Sequence, residues 1–525
     1  MKPLLLVSAA AAALLATPAT AQINNSVVDQ SGTNATANVS QTGSGAISDV
    51  NQKGAYQQAY VKQAGAGADS EIDQDGNSNT ALVDQTGDSK SKITQAAFNN
   101  GASVVQKGGN GNDSTILQTG NNNEVSVPSP APWAGVVQTG NRNTSDITQS
   151  ADSATANVFQ TGDDNDSTVS QAGGVSNDAF VTQSGNANVS SVSQKGTNNL
   201  ATVNQTDDGA SATIRQGGTL NAADAGRFGY AGVDFDSNNA DATINQDADA
   251  IASIDQIAVD GGAGRFVSAT INQLDEATGS TANIRQRLSG SAQSATITQD
   301  GFSNESTIKQ YQGNHTAVNT QSGDDNFSDI DHGGSNTSAT VIQSGNLNSS
   351  TVSIFGNNEG VLVQQIGDSN VSAVNQGASN ASATVYQGGN LNSSGISQGE
   401  QSLANVTQNG SRGTSSVSQQ FGDIANVTQT ATSLRAKSTV TQGGTWSYHN
   451  NRATVEQSGT DVTSTIDQSG INLTANVTQG GVGSTSDIDQ TGTGNTATVT
   501  QNSDVNTSNV TQSGTGNTAS VTQGS

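Results

Sequence analysis

Along "NTATVTQ", residues 495–501, small or apolar side chains alternate with hydroxyl side chains. Asn495, Ala497, Val499 and Gln501 fall on one face, and Thr496, Thr498 and Thr500 on the other. A period of two marks a strand with one buried face. Its β-branched threonines suit a pleated surface in water. The pattern returns along nearly all of residues 22–525. Counted from a leading glutamine, each unit has Gly at +2, often Asn at +5, Ala or Ser at +7, Val or Ile at +9, and Gln again at +11. Residues such as Thr491–Gly494 supply the turn between strands.

The spacing sets the architecture. Gln30, Gln41, Gln52, Gln63, Gln74 and Gln85 stand eleven residues apart, as do Gln457, Gln468, Gln479, Gln490, Gln501, Gln512 and Gln523. A longer period is superimposed. Asn304, Asn326, Asn348, Asn370 and Asn392 are 22 residues apart, whereas the +5 positions between them hold His315, Thr337, Glu359 and Ala381. One coil is therefore two strands, and the fold class expected is all-β, a long flattened β-solenoid of 22-residue coils. About 21 coils at a strand spacing of about 4.8 Å would extend roughly 100 Å. In such a stack, like side chains fall in columns. The glutamines above, with Asn304, Asn326, Asn348, Asn370, Asn392, Asn495 and Asn517, are the candidate structural residues: inward amides that hydrogen-bond along the axis and so satisfy groups costly to bury alone.

Composition alone points elsewhere. With 31% hydrophobic and 3% aromatic residues and 60 glycines, the chain reads as disordered until its periodicity is seen. A core too thin for Phe or Trp accounts for the same figures. The absence of cysteine removes disulfides and thiolate chemistry. A net charge of -26 argues against nucleic acid or anionic lipid as partners. Residues 1–21, with Lys2, an apolar run and Ala19-Thr20-Ala21, have the layout of a secretory signal peptide, and no other run is long enough to cross a bilayer. Residues 22–525 form the repeat region, with loop insertions near 119–137, 217–240, 257–269 and 443–452. The prolines of the first, Pro128, Pro130 and Pro132, remove no ladder hydrogen bond in a loop.

Candidate chemistry is sparse. No H-E-x-x-H or P-loop spacing occurs, and the abundant Ser and Asp follow the repeat, so neither an enzyme nor a cofactor or metal site is expected. His315 and His332 occupy repeat positions and His449 an insertion; His332 and Ile354 stand where the count expects Gln. "GGNGNDSTI", residues 108–116, departs from a calcium-binding nonapeptide at Thr115, and the threonine rows of the C-terminal strands do not persist as an ice-binding array.

The doubled motif Gln-x-Gly-x-x-Asn-x-Ala-x-Val-x-Gln, following a signal peptide, resembles the curlin repeat of bacterial curli subunits. The resemblance implies secretion by a Gram-negative bacterium into an extracellular amyloid fibre serving adhesion and biofilm matrix. It also implies self-association, with other curlin-type subunits and an outer-membrane secretion apparatus as further partners. By the same resemblance Gln490, Asn495, Gln501 and their equivalents hold each coil and template the next. The chain departs from the family in having several times the usual number of repeats and no targeting segment before the first. Its final "NTASVTQGS" follows the full strand pattern without a polar cap, which predicts end-to-end growth. The alternative is a monomeric surface stalk or adhesin presenting its insertion loops.

Overall fold

The computed structural model describes residues 23–125, 135–219, 234–235, 237–257, 267–287, 292–444 and 449–524. The expected signal peptide lies outside the described residues, as do 126–134, 220–233, 236, 258–266, 288–291 and 445–448, which include much of the expected insertions.

Successive strands alternate between two parallel sheets, here sheet A and sheet B. Ser349–Ile354 lies in sheet A, Gly360–Ile366 in sheet B, and Val371–Gln376 returns to sheet A beside Ser349–Ile354. Sheet A has 21 strands. Each strand pairs with its equivalent one coil away, so that Gln30 faces Gln52 in sheet A and Gln501 faces Gln523 in sheet B. The chain is a β-solenoid of two-strand coils, as its 22-residue period requires.

Where an insertion falls, the register survives it. Glu124–Val125 and Val136–Thr139 are two halves of one sheet B rung: both pair with Gly101–Lys107 below and Thr155–Thr161 above. Three other long connections, which follow Gln216, Ile257 and Gly443, each leave a sheet A strand and enter a sheet B strand, so their described ends lie on one edge of the solenoid. That edge also carries the described antiparallel pair, Gly218–Thr219 with Asp234–Phe235.

Alternation places three inward side chains on the common six-residue strand, and a fourth on longer ones such as Val267–Gln273. Val352, Val374 and Ile396 stack in sheet A against Val363, Val385 and Val406 of sheet B, all buried. Ala and Ser, interchangeable in the repeat formula, are sorted by sheet over most of the stack, with Ala212, Ala252 and Ala282 of sheet A as exceptions. Ser350, Ser372 and Ser394 line sheet A while Ala383, Ala404 and Ala425 line sheet B. The hydroxyls of those three buried serines have no hydrogen-bond partner, and nothing in the structure explains the preference.

The arcs are built on a fixed backbone. The residue four after the glutamine takes a left-handed φ, as at Asn34 (56°), Asp325 (54°) and Leu347 (59°). Gly at +2 answers a second constraint. Gly345 has φ +107°, and a Cβ there would lie 2.3 Å from the carbonyl oxygen of Gly367 in the next coil. The +2 glycines thus let the arcs stack as closely as the strands do.

Candidate functional site

The candidate site is the pair of amide columns that runs the length of the stack. In sheet B, the Nε2 of each glutamine donates to the Oε1 of the glutamine one coil on, without a break from Gln41 to Gln523, at 2.7–3.0 Å. Gln41, Gln63, Gln85, Gln457, Gln479, Gln501 and Gln523 all belong to this column. The second Nε2 hydrogen is also used. In Gln343 it is donated to the Phe327 carbonyl across the core at 2.8 Å. A buried primary amide therefore has both hydrogens and its oxygen paired, which removes the usual penalty for burying it.

The sheet A column contains Gln30, Gln52, Gln74, Gln468, Gln490 and Gln512 and runs the same way, but in two pieces. The first ends at Gln310 and the second starts at Gln376, because His332 and Ile354 occupy the rungs between.

The predicted asparagines do not form one column. Asn304, Asn326, Asn348, Asn370 and Asn392 stack where the chain passes from sheet B to sheet A; Asn495 and Asn517 stack on the opposite edge. Their chemistry also differs from that of the glutamines. Asn326 Oδ1 accepts the backbone N–H of Asn348 at 3.0 Å, and Asn326 Nδ2 reaches the Gly345 carbonyl at 2.8 Å. Both bonds reach the arc one coil on, so each such asparagine ties its own arc to the next.

The break in the sheet A column is filled by a different polar chain. His315 Nε2 lies 3.2 Å from the Tyr311 carbonyl, which fixes its proton there and leaves Nδ1 to accept from the Thr337 hydroxyl at 2.7 Å. That hydroxyl oxygen then accepts from His332 Nδ1 at 2.9 Å. His332 is left with a bare Nε2, and burial, with a smaller contribution from His315, lowers its pKa to about 3. Both rings are neutral links rather than acid–base groups. Among the described residues, no group of three or more His, Cys, Asp or Glu side chains could hold a metal ion.

One coil further, Glu359 occupies the +5 position. Burial pushes its carboxyl up to about 7, against the backbone N–H groups of Gly356 and Ala378; Gly356 N donates to Oε2 at 2.9 Å and Oε1 has no partner. Because the folded value is raised above the ordinary 4.5, its stabilising contribution is complete below that value and is lost as pH rises through 7. Amide exchange in residues 337–366 is therefore expected to quicken between pH 5 and 8 beyond the intrinsic pH effect. In Glu359→Gln the excess should vanish; its persistence would assign the effect to another group.

A second charged cluster lies at the C-terminal ends of three adjacent sheet A strands, Ser211–Gln216, Ile251–Ile257 and Thr281–Arg287. Burial pushes the Asp255 carboxyl up, but hydrogen bonds and charge from Arg215 and Arg287 outweigh this and hold it below the usual range. Arg215 Nη2 lies 2.6 Å from Asp255 Oδ2, and the fully buried Arg287 donates to the same oxygen.

Residues 140–173 and 174–206 each match the family model of the curlin associated repeat. The chain therefore carries the curlin repeat. The matched residues contain the sheet A strands Thr144–Gln149, Asp166–Ala172 and Val189–Lys195 and the sheet B strands Thr155–Thr161, Asp178–Ser184 and Leu200–Gln205. Their register and amide bonding continue on both sides of the match, so the matched repeats are continuous with the rest of the described solenoid. No curated protein matches the chain.

Proposed function

We infer that this curlin-repeat protein is a structural subunit of an extracellular, curli-like amyloid fibre acting in adhesion and biofilm matrix, and that it grows by head-to-tail continuation of its own solenoid. The observation that supports this most directly is the polarity of the amide columns. Every glutamine-to-glutamine bond in the two columns is donated toward the C-terminal coil. Among the described residues, nothing donates to Oε1 of Gln30 or Gln41, while Gln512 and Gln523 each have one Nε2 hydrogen committed, to the Thr496 and Thr507 carbonyls. One end accepts and the other donates.

Side chains at the two ends also correspond. Laid in the register used throughout, Thr507–Gln512 meets Asn25–Gln30 with Ser508 over Ser26, Val510 over Val28 and Gln512 over Gln30. Thr518–Gln523 meets Thr36–Gln41 with Ala519 over Ala37, Val521 over Val39 and Gln523 over Gln41. Asp29 is the sole charged residue in the four strands. The joint repeats the interior, and outer strand edges with free N–H and C=O groups are templates for it. No helix among the described residues is long and apolar enough to cross a membrane. Secretion through an outer-membrane apparatus, and assembly beside other curlin-type subunits, belong to the same reading.

The test uses Ala519→Lys with Val521→Lys in the otherwise intact mature chain. Two ammonium groups directed into the joint should leave the interior coils folded by circular dichroism while suppressing dye-binding fibres at least tenfold. Fibres forming at the wild-type rate would contradict end-to-end growth. A wild-type chain that stayed monomeric under every condition would instead favour the stalk.

A further inference from the structure

Fibre growth uses the ends of the solenoid; its flat faces are a separate question. The eight consecutive sheet B rungs from Val267–Gln273 to Ile424–Gln429 each present three outward side chains ahead of the ladder glutamine, and none of these is Asp, Glu, Lys, Arg or His; Asp300, just after Gln299, faces outward at the margin of this band. Charge returns on either side, at Asp241 in the preceding strand and at Arg452 and Glu456 in the following one. Sheet A is not so cleared at the same levels, where Lys309, Asp329 and Lys437 face outward. An uncharged band of this length stands out in a chain of net charge -26. At its centre Val318, Ile342, Leu362 and Tyr386 stand among threonines, with Leu362 38% exposed.

We propose that this face of sheet B is a lateral interface and that its occupant is the same face of a second copy. Electrostatics supports a like partner: two acidic solenoids repel over most of their surface and can approach side by side without stacking carboxylates only across a charge-free band. Size supports it too. Eight rungs at 4.8 Å by five residues at 3.3 Å cover about 38 Å by about 17 Å, hence about 650 Å² per copy and about 1,300 Å² in all. That lies within the roughly 1,200–2,000 Å² of specific protein pairs. Threonine methyls and the four larger side chains provide an interdigitating surface like that between stacked sheets. Lateral pairing would bundle fibres without using the ends at which they grow.

The experiment exploits the absence of cysteine, which makes one introduced thiol the only one present. Thr340 lies in the central outward column of Thr337–Ser344, near the middle of the band, so a two-fold pairing brings it near its own copy. Thr351, in the neighbouring sheet A strand Ser349–Ile354, is the control. In the full mature chain, Thr340→Cys should oxidise to a disulfide-linked dimer at least tenfold faster than Thr351→Cys, and adding Leu362→Lys should abolish the difference. Carrying the pair Ala519→Lys and Val521→Lys as well should leave that cross-linking intact, which separates this interface from end-to-end growth. Equal rates for the two cysteines, cross-linking indifferent to Leu362→Lys, or a face covered instead by bound polysaccharide would each overturn the proposal.

Discussion

Replacing Gln343 with alanine is expected to loosen the coils around it by about 3–5 kcal/mol, adding lost packing to orphaned polar groups. Three bonds disappear together: the one from Gln321 Nε2, the one to Gln365 Oε1, and the one to the Phe327 carbonyl. Gln321 is partly protected, since its Nε2 keeps the Glu305 and Asn326 carbonyls. Gln365 Oε1 gains no replacement donor, so the damage should fall mainly on the C-terminal side. Hydrogen exchange measures this directly: amides of Gly360–Ile366 should lose more protection than those of His315–Ser322. Thr340→Ala, on the outer face of the same strand, should change little, within about 0.5 kcal/mol. Equal small effects for the two substitutions would mean that the amide column does not hold the coils together.

Two glycine substitutions are expected to act with opposite sign. At Gly345 a methyl group would meet the Gly367 carbonyl oxygen at 2.3 Å, in a backbone conformation, φ +107°, that disfavours any L side chain. The obstacle is backbone, so relief requires the two arcs to move apart and strain the amide bonds beside them. Gly345→Ala should cost about 3 kcal/mol or more, from the backbone strain and the contact together. Gly395 lies within the sheet A strand Ser393–Gln398, where an added Cβ has nothing within 4 Å. Gly395→Ala should stabilise by about 0.4–1 kcal/mol by restricting the unfolded chain. Urea denaturation of the two variants, followed by intrinsic exchange protection, checks both signs.

The two-strand coil was legible because it rests on spacing: side chains stacked in columns must recur at the coil length, and Gln at 11 and Asn at 22 record it. Inward and outward faces followed from period two, and the break in one column from His332 and Ile354. Other features were hidden for physical reasons. Asn304 and Asn495 look alike in the repeat formula, yet lie on opposite edges, because the coil has two arcs and only a count of strands from a fixed origin distinguishes them. The left-handed residue at +4 had a signal in the recurring Asn, Asp, Ser and Gly there, but Leu347 and Leu391 adopt the same φ (59° and 60°) against their own preference, held by the arcs on either side. The Thr337 bridge between His315 and His332 had no sequence signal, since it depends on a column and an arc meeting at one edge. The charge-free band was present in the sequence throughout. It emerges only once alternate strands are assigned to separate sheets.

Head-to-tail continuation is tested most directly by cryo-electron microscopy of fibres grown from the mature chain. The account predicts parallel strands about 4.8 Å apart and one copy per about 100 Å of axis, from 21 coils, with density for both glutamine columns running unbroken from Gln512 to Gln30 and from Gln523 to Gln41. A fibre in which each copy occupies a single 4.8 Å layer, or in which neighbouring copies meet with opposed polarity, would contradict it.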